Sequence, residues 1–175
     1  MEGTGRGMAG QRLLIVDDHP LFRNALRQAL LGSFPAMEID EAGSLDQVNA
    51  MLVNVPSGAN IVGDVYGQRQ GYPNWSSADP KVVATAPYFD AMSFAPDIRA
   101  ASMVAPGFLD VTSPPYGIIA AFNAIQGPKE LVPMVESDHN HITPQKQEAW
   151  YRRSREALEQ LRTTGRFMPN SNWDR

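Results

Sequence analysis

The chain has 175 residues, 43% of them hydrophobic and 19% charged, with a formal net charge of -4 and no cysteine. That profile fits one ordinary soluble globular domain with a genuine core, too short for two comfortable domains, and excludes a disordered or membrane chain. A mildly acidic chain without a Lys/Arg run lacks the basic face of a phosphate-backbone binder, and the missing cysteine removes disulfides, thiolate zinc sites and a cysteine nucleophile.

The first eleven residues, MEGTGRGMAGQ, hold Gly at four positions and no apolar core, so residues 1–10 read as a disordered leader and not as a signal peptide or anchor. The protein is therefore expected in the cytoplasm. Arg12 to Asp18, RLLIVDD, is a short branched apolar run ending in two carboxylates, the pattern of a buried parallel strand opening into a polar crevice. Pro20 can occupy the first turn of a helix in which Leu21, Phe22, Ala25, Leu26, Ala29 and Leu30 recur at helical spacing, with Gly32 as its end. Met37 to Ala42 reads as a second strand, and Ser44 with Gln47 as the cap of a short helix from Leu45 to about Ala50.

The same first stretch, LLIVDDHPLFRNALRQAL followed by EAGSLD, resembles the N-terminal half of a response-regulator receiver domain over residues 11–50. The resemblance implies that Asp17 and Asp18 help hold a divalent metal. It stops before any phospho-acceptor Asp, Ser/Thr strand end or Lys-Pro pair, so phosphate relay is not expected.

Beyond residue 50 the pattern continues. Ala50 to Val55 is a strand candidate, Gly58 to Pro87 a Gly/Pro-rich excursion, and Ala100 to Pro106 a strand. Ile118 to Ile125 reads as an apolar helix, Glu130 to Val135 as a strand, and Gln145 to Leu161 as a long amphipathic helix. Strands alternating with helices favour a parallel sheet with right-handed crossovers.

NVPSGAN, GYPNW, PYFDAMSFAPDI, GFLDVTSPP, GPKE and the Asp-His of SDHNH resemble the C-terminal part of the acetyl xylan esterase and cephalosporin C deacetylase group of α/β-hydrolases, over residues 51–161. The resemblance implies that Asp110 and His139 are the acid and the base of a catalytic triad. The nucleophile elbow G-x-S-x-G, which should precede them, occurs nowhere in the chain.

Joined, the two parts predict a single α/β domain over residues 11–163, with a receiver-like half (11–50), a hydrolase-like half (51–163) and a C-terminal tail (164–175). The expected sheet is doubly wound and flavodoxin-like, five parallel strands in the order 2-1-3-4-5, with residues 60–98 as a long irregular insertion. Asp17, Asp18, His19, Ser57, Asp110, Asp138, His139 and His141 would share its C-terminal edge, where ligands of such sheets bind.

The expected function is hydrolysis of activated carboxylic or phosphoric esters, phosphotriesters included, by water activated by a metal or by His139. Two alternatives stand beside it: a serine esterase using Ser57, and a non-catalytic structural or binding chimera. Carboxylates with imidazoles suit zinc or manganese, so the expected metal set is Asp17 or Asp18 with His139 or His141, and Asp110 as ligand or as orienter of an imidazole. The expected partner is a small ester, with no nucleic acid or membrane; an imperfectly covered hybrid core would favour a homodimer.

Overall fold

The computed structural model describes residues 12–16, 19–43 and 48–170. The expected leader, the paired Asp17 and Asp18, and the helix capped by Ser44 and Gln47 lie outside them. The chain divides into two compact units, Met1–Val48 and Asn49–Arg175.

The first unit is a βαβ piece. Strand β1 (Arg12–Val16), helix α1 (Pro20–Ser33) and strand β2 (Glu38–Ala42) follow in order, and β1 pairs with β2 in parallel from Arg12↔Glu38 to Val16↔Ala42. Pro20 opens α1, where its missing N–H costs nothing. Arg23 and Arg27 each place Nε 3.5 Å from the carboxylate of Glu41. Its core is slight: Ile15 and Ala42 are buried, whereas α1 buries no residue.

The second unit holds strand β3 (Ala50–Asn54), short helices α2 (Pro80–Thr85) and α3 (Ala91–Phe94), strand β4 (Ala101–Ala105), helix α4 (Pro115–Ala124), strand β5 (Lys129–Leu131) and helix α5 (Glu148–Thr164). The sheet is parallel in the order β3-β4-β5, with Ala50 opposite Ala101 and Met103 opposite Glu130. Side chains alternate across a strand, so β4 feeds two cores. Val104 joins Ala59, Ala95, Ile118, Phe122 and Ile125 on the α3/α4 face, while Met103 and Ala105 join Val132, Met134, Ala157 and Phe167 on the α5 face.

The excursion between β3 and β4 is ordered by one carboxylate. Buried Asp90 accepts from the amides of Asn60 (3.1 Å), Ile61 (2.9 Å) and Met92 (2.9 Å), which caps α3 and pins the start of the loop. Ile61, Val62 and Ala86 form a small core of their own with Trp75 and Val82 against them. Gly71 sits so close to Ala59 that a Cβ there would lie 2.1 Å from its carbonyl oxygen, so no other residue fits.

The expectation of one five-stranded sheet is not confirmed. Strand order 2-1-3-4-5 is not formed among the described residues; β1 and β2 make a two-stranded sheet, and β3, β4 and β5 a three-stranded one. Leu13 and Leu14 of β1 are 38% and 45% exposed, and β2 reads Glu-Ile-Asp-Glu-Ala.

Candidate active site

Asp110 and His139 come together because the loops after β4 and β5 are laced to each other. Phe108 N donates to Met134 O and Leu109 N to Ser137 O, both at 3.0 Å, while Met134 N donates to Pro106 O at 3.1 Å. Close approach at Gly107 permits this, since a Cβ there would stand 2.8 Å from Ser137 O. The imidazole Nδ1 of His139 then lies 2.8 Å from Asp110 Oδ2.

Asp110 is 3% exposed, and its other oxygen, Oδ1, accepts from the amides of Thr112 and Ser113 at 2.8 Å each. The carboxylate is thus fixed in orientation by its own loop. A carboxylate only accepts, so the facing Nδ1 carries the hydrogen of the neutral ring and Nε2 keeps its lone pair. The His139 side chain is 30% exposed, open enough to receive a substrate.

Behind His139 runs a buried polar chain. Asn54 Nδ2, at the end of β3, donates to Gln147 Oε1 at 3.0 Å; Gln147 Nε2 reaches Ser137 Oγ at 3.4 Å, and Ser137 Oγ reaches Asp138 O at 3.3 Å. Gln147 is 1% exposed and Ser137 fully buried. These residues fix the backbone that carries His139. Sequence reasoning missed them: a Gln among polar loop residues carries no pattern that separates a buried strut from a solvated side chain.

Asp138 turns away from the imidazole of His139 and organises its own turn. Its Oδ1 accepts from the amides of Asn140 and His141, and its Oδ2 lies 3.3 Å from His141 Nδ1 and 3.6 Å from Lys146 Nζ. The His141 amide, foremost, holds the Asp138 carboxyl below its ordinary value; partial burial opposes this, and the Asn140 amide and the charges of Lys146 and His141 add to it. The side chain of His141 is 82% exposed.

Ser57 lies in the exposed turn after β3, between Val55 and Gly58, which have φ of 44° and 83°. It makes no hydrogen bond to His139, and it lines an apolar cavity of about 210 Å³ with Met51, Val53, Val104, Ile118 and Phe122. His19 is the exposed residue before α1. Among the described residues no group of three or more His, Asp or Glu side chains is placed to hold a metal. Asp17 and Asp18 of the expected zinc or manganese set lie outside the described residues.

Around the pair, Phe108, Leu109, Val111, Val135 and Ile142 leave apolar surface exposed on the same two loops. Tyr72 N donates to Thr112 O at 2.9 Å, tying the long excursion to the Asp110 loop. A buried, oriented carboxylate on an accessible imidazole is the arrangement of a general base that abstracts a proton from a hydroxyl nucleophile.

Comparison with known proteins falls on this region. Residues 70–156 match the family model of acetyl xylan esterase. Among solved structures, the acetyl xylan esterase from Paenibacillus sp. R4 is similar at 22% identity and a TM-score of 0.52, covering 76% of this chain and 50% of that one. That likeness concerns the fold, and the chain spans half the length of that esterase. No curated protein sequence matches the chain. These matches support the esterase-like part; none supports a receiver domain at residues 11–50. No helix among the described residues is long and apolar enough to cross a membrane.

Proposed function

We propose that the chain carries the acid–base apparatus of a carboxylic ester hydrolase, with His139 as general base and Asp110 as the residue that orients it. The observation carrying this reading is the 2.8 Å contact between His139 Nδ1 and the buried Asp110 carboxylate. The family match over residues 70–156 supports the reaction class, and the apolar rim suits a small ester.

In the reaction, Nε2 of His139 takes the proton of an attacking hydroxyl as its oxygen bonds to the ester carbonyl carbon. Asp110 stabilises the imidazolium that forms. The carbon–alkoxide bond then breaks, and the same proton passes from Nε2 to the departing alcohol. In the isolated chain the attacking hydroxyl is that of water.

The test is turnover of a panel of aryl carboxylate esters by the full chain, its His139→Ala variant and its Asp110→Asn variant. The reading expects hydrolysis that falls sharply in both variants. Equal turnover in all three would sink it.

A further inference from the structure

His139 sits on a stretch that no strand or helix holds. Beyond β5 the loop is tied at Ser137, whose carbonyl accepts from Leu109 N at 3.0 Å, and again before α5, where Gln147 N donates to Thr143 O at 3.2 Å. Between these ties, among the described residues, no backbone–backbone hydrogen bond begins or ends at residues 138–142. The entropy of ordering such a stretch opposes any fixed contact of its side chains. The His139 ring nevertheless meets Asp110 Oδ2 at 2.8 Å.

Two side chains supply what the backbone ladder does not, one on each side of His139. The peptide group before it is held through its oxygen: Ser137 Oγ donates to Asp138 O at 3.3 Å and accepts from the buried Gln147 Nε2 at 3.4 Å. The peptide group after it is held through its nitrogen: Asn140 N donates to Asp138 Oδ1 at 2.9 Å, and His141 N donates to the same oxygen. A side-chain oxygen closed over the amides two and three residues ahead is an Asx turn, and His139 is the residue this one encloses. The other carboxylate oxygen, Oδ2, stands 3.3 Å from His141 Nδ1 and 3.6 Å from Lys146 Nζ, whose side chains are 82% and 30% exposed. Water screens exposed charge contacts of that kind, so the grip on the turn lies in the amide bonds to Oδ1.

We infer that Asp138 is a positioning residue: its Oδ1, closed over the Asn140 and His141 amides, holds the backbone of His139 in the one setting that lays Nδ1 on Asp110 and leaves Nε2 free for the attacking hydroxyl. It acts through the main chain and not on the imidazole. The inference rests on the role proposed above for Asp110 and His139.

Three variants of the full chain separate the cap from the charge. Asp138→Ala removes both. Asp138→Glu keeps the charge but carries it one methylene further out, where it no longer closes the turn. Asp138→Asn removes the charge and keeps an oxygen in place of Oδ1, since Asn and Asp cap such turns alike. With an aryl acetate, Asp138→Ala and Asp138→Glu should lower kcat by about 10- to 10²-fold at unchanged KM, the order of loss that a displacement of about 1 Å brings. Asp138→Asn should keep the native kcat. The Nδ1 proton of an imidazole held on a carboxylate gives a far-downfield proton resonance, assigned here by its loss in His139→Ala. It should persist in the native chain and in Asp138→Asn, and broaden or vanish in the other two, with circular dichroism unchanged throughout. Native kcat and resonance in Asp138→Ala would overturn the inference. Equal loss in Asp138→Asn and Asp138→Ala would also overturn it, by assigning the effect to charge, as would absence of the resonance from the native chain. A native chain that shows the resonance without turnover would reject the esterase reading alone, and the resonance in the three variants would then decide the positioning.

Discussion

At the scale of single residues, the account depends on how the protein orients one imidazole. Losing a positioned general base typically costs about 10²–10⁴-fold in rate, so His139→Ala should lower kcat for an aryl acetate by that order with the fold intact. Ser57 makes no hydrogen bond to His139 and sits in a turn, not at a strand-to-helix elbow. A fluorophosphonate probe should therefore leave the chain alone unlabelled, and labelled Ser57 would revive the serine reading. Asp138 adds a pH dependence. Its folded pKa lies below the unfolded value, so its stabilising effect is full above the ordinary carboxylate range and is lost as pH falls through and below about 4. Amide exchange at Asn140 and His141 should accelerate over that interval, and a rate independent of pH-induced opening would show that Asp138 does not hold the turn.

At the scale of elements, strands and helices of the second unit were largely readable, and the departures have local causes. The strand expected from Glu130 to Val135 is Lys129–Leu131, although Val132 N and Met134 N still donate to Val104 O and Pro106 O and an isolated bridge at Gly107↔Met134 resumes the pairing. The helix expected from Ile118 begins at Pro115, since proline fits the first turn. The helix expected over 145–161 runs Glu148–Thr164 and stops at Gly165, whose φ is 69°. The Asp110–His139 pair could be read through the resemblance, but the struts behind it arise from tertiary contacts between residues far apart in sequence. Gln147→Ala would leave Asn54 and Ser137 without their buried partner, at a cost of about 1–3 kcal/mol, read as a lower denaturant midpoint. A second element-scale feature was equally invisible. Arg153 on α5 makes a two-point ion pair with Glu130 of β5, at 2.7 and 2.9 Å, and also holds Met168 O at 3.2 Å, while Asn170 N donates to Glu130 at 2.8 Å. Removing one partner of a buried pair costs about 3–5 kcal/mol. Arg153→Ala should therefore destabilise the second unit by that order and free residues 167–170 to limited proteolysis.

At the scale of the whole molecule, the two units differ in how much they bury. The second has two cores sharing one sheet; the first buries Ile15 and Ala42 and leaves Leu21 and Phe22 75% and 56% exposed. A run such as Leu-Leu-Ile-Val signals a strand, but not the neighbour it is to have, which is why β1 and β2 were legible as strands while the five-stranded order was not confirmed. Amides of β1 and β2 should accordingly exchange much faster than those of β4, whose strand is central and buried. The esterase reading of the molecule is tested most directly by hydrolysis of an aryl acetate in rigorously chelated buffer, comparing the full chain with His139→Ala. The account predicts that turnover persists without metal and falls by about 10²–10⁴-fold in the variant. Turnover that survives the substitution unchanged, or that vanishes on chelation and returns with zinc or manganese, would contradict it.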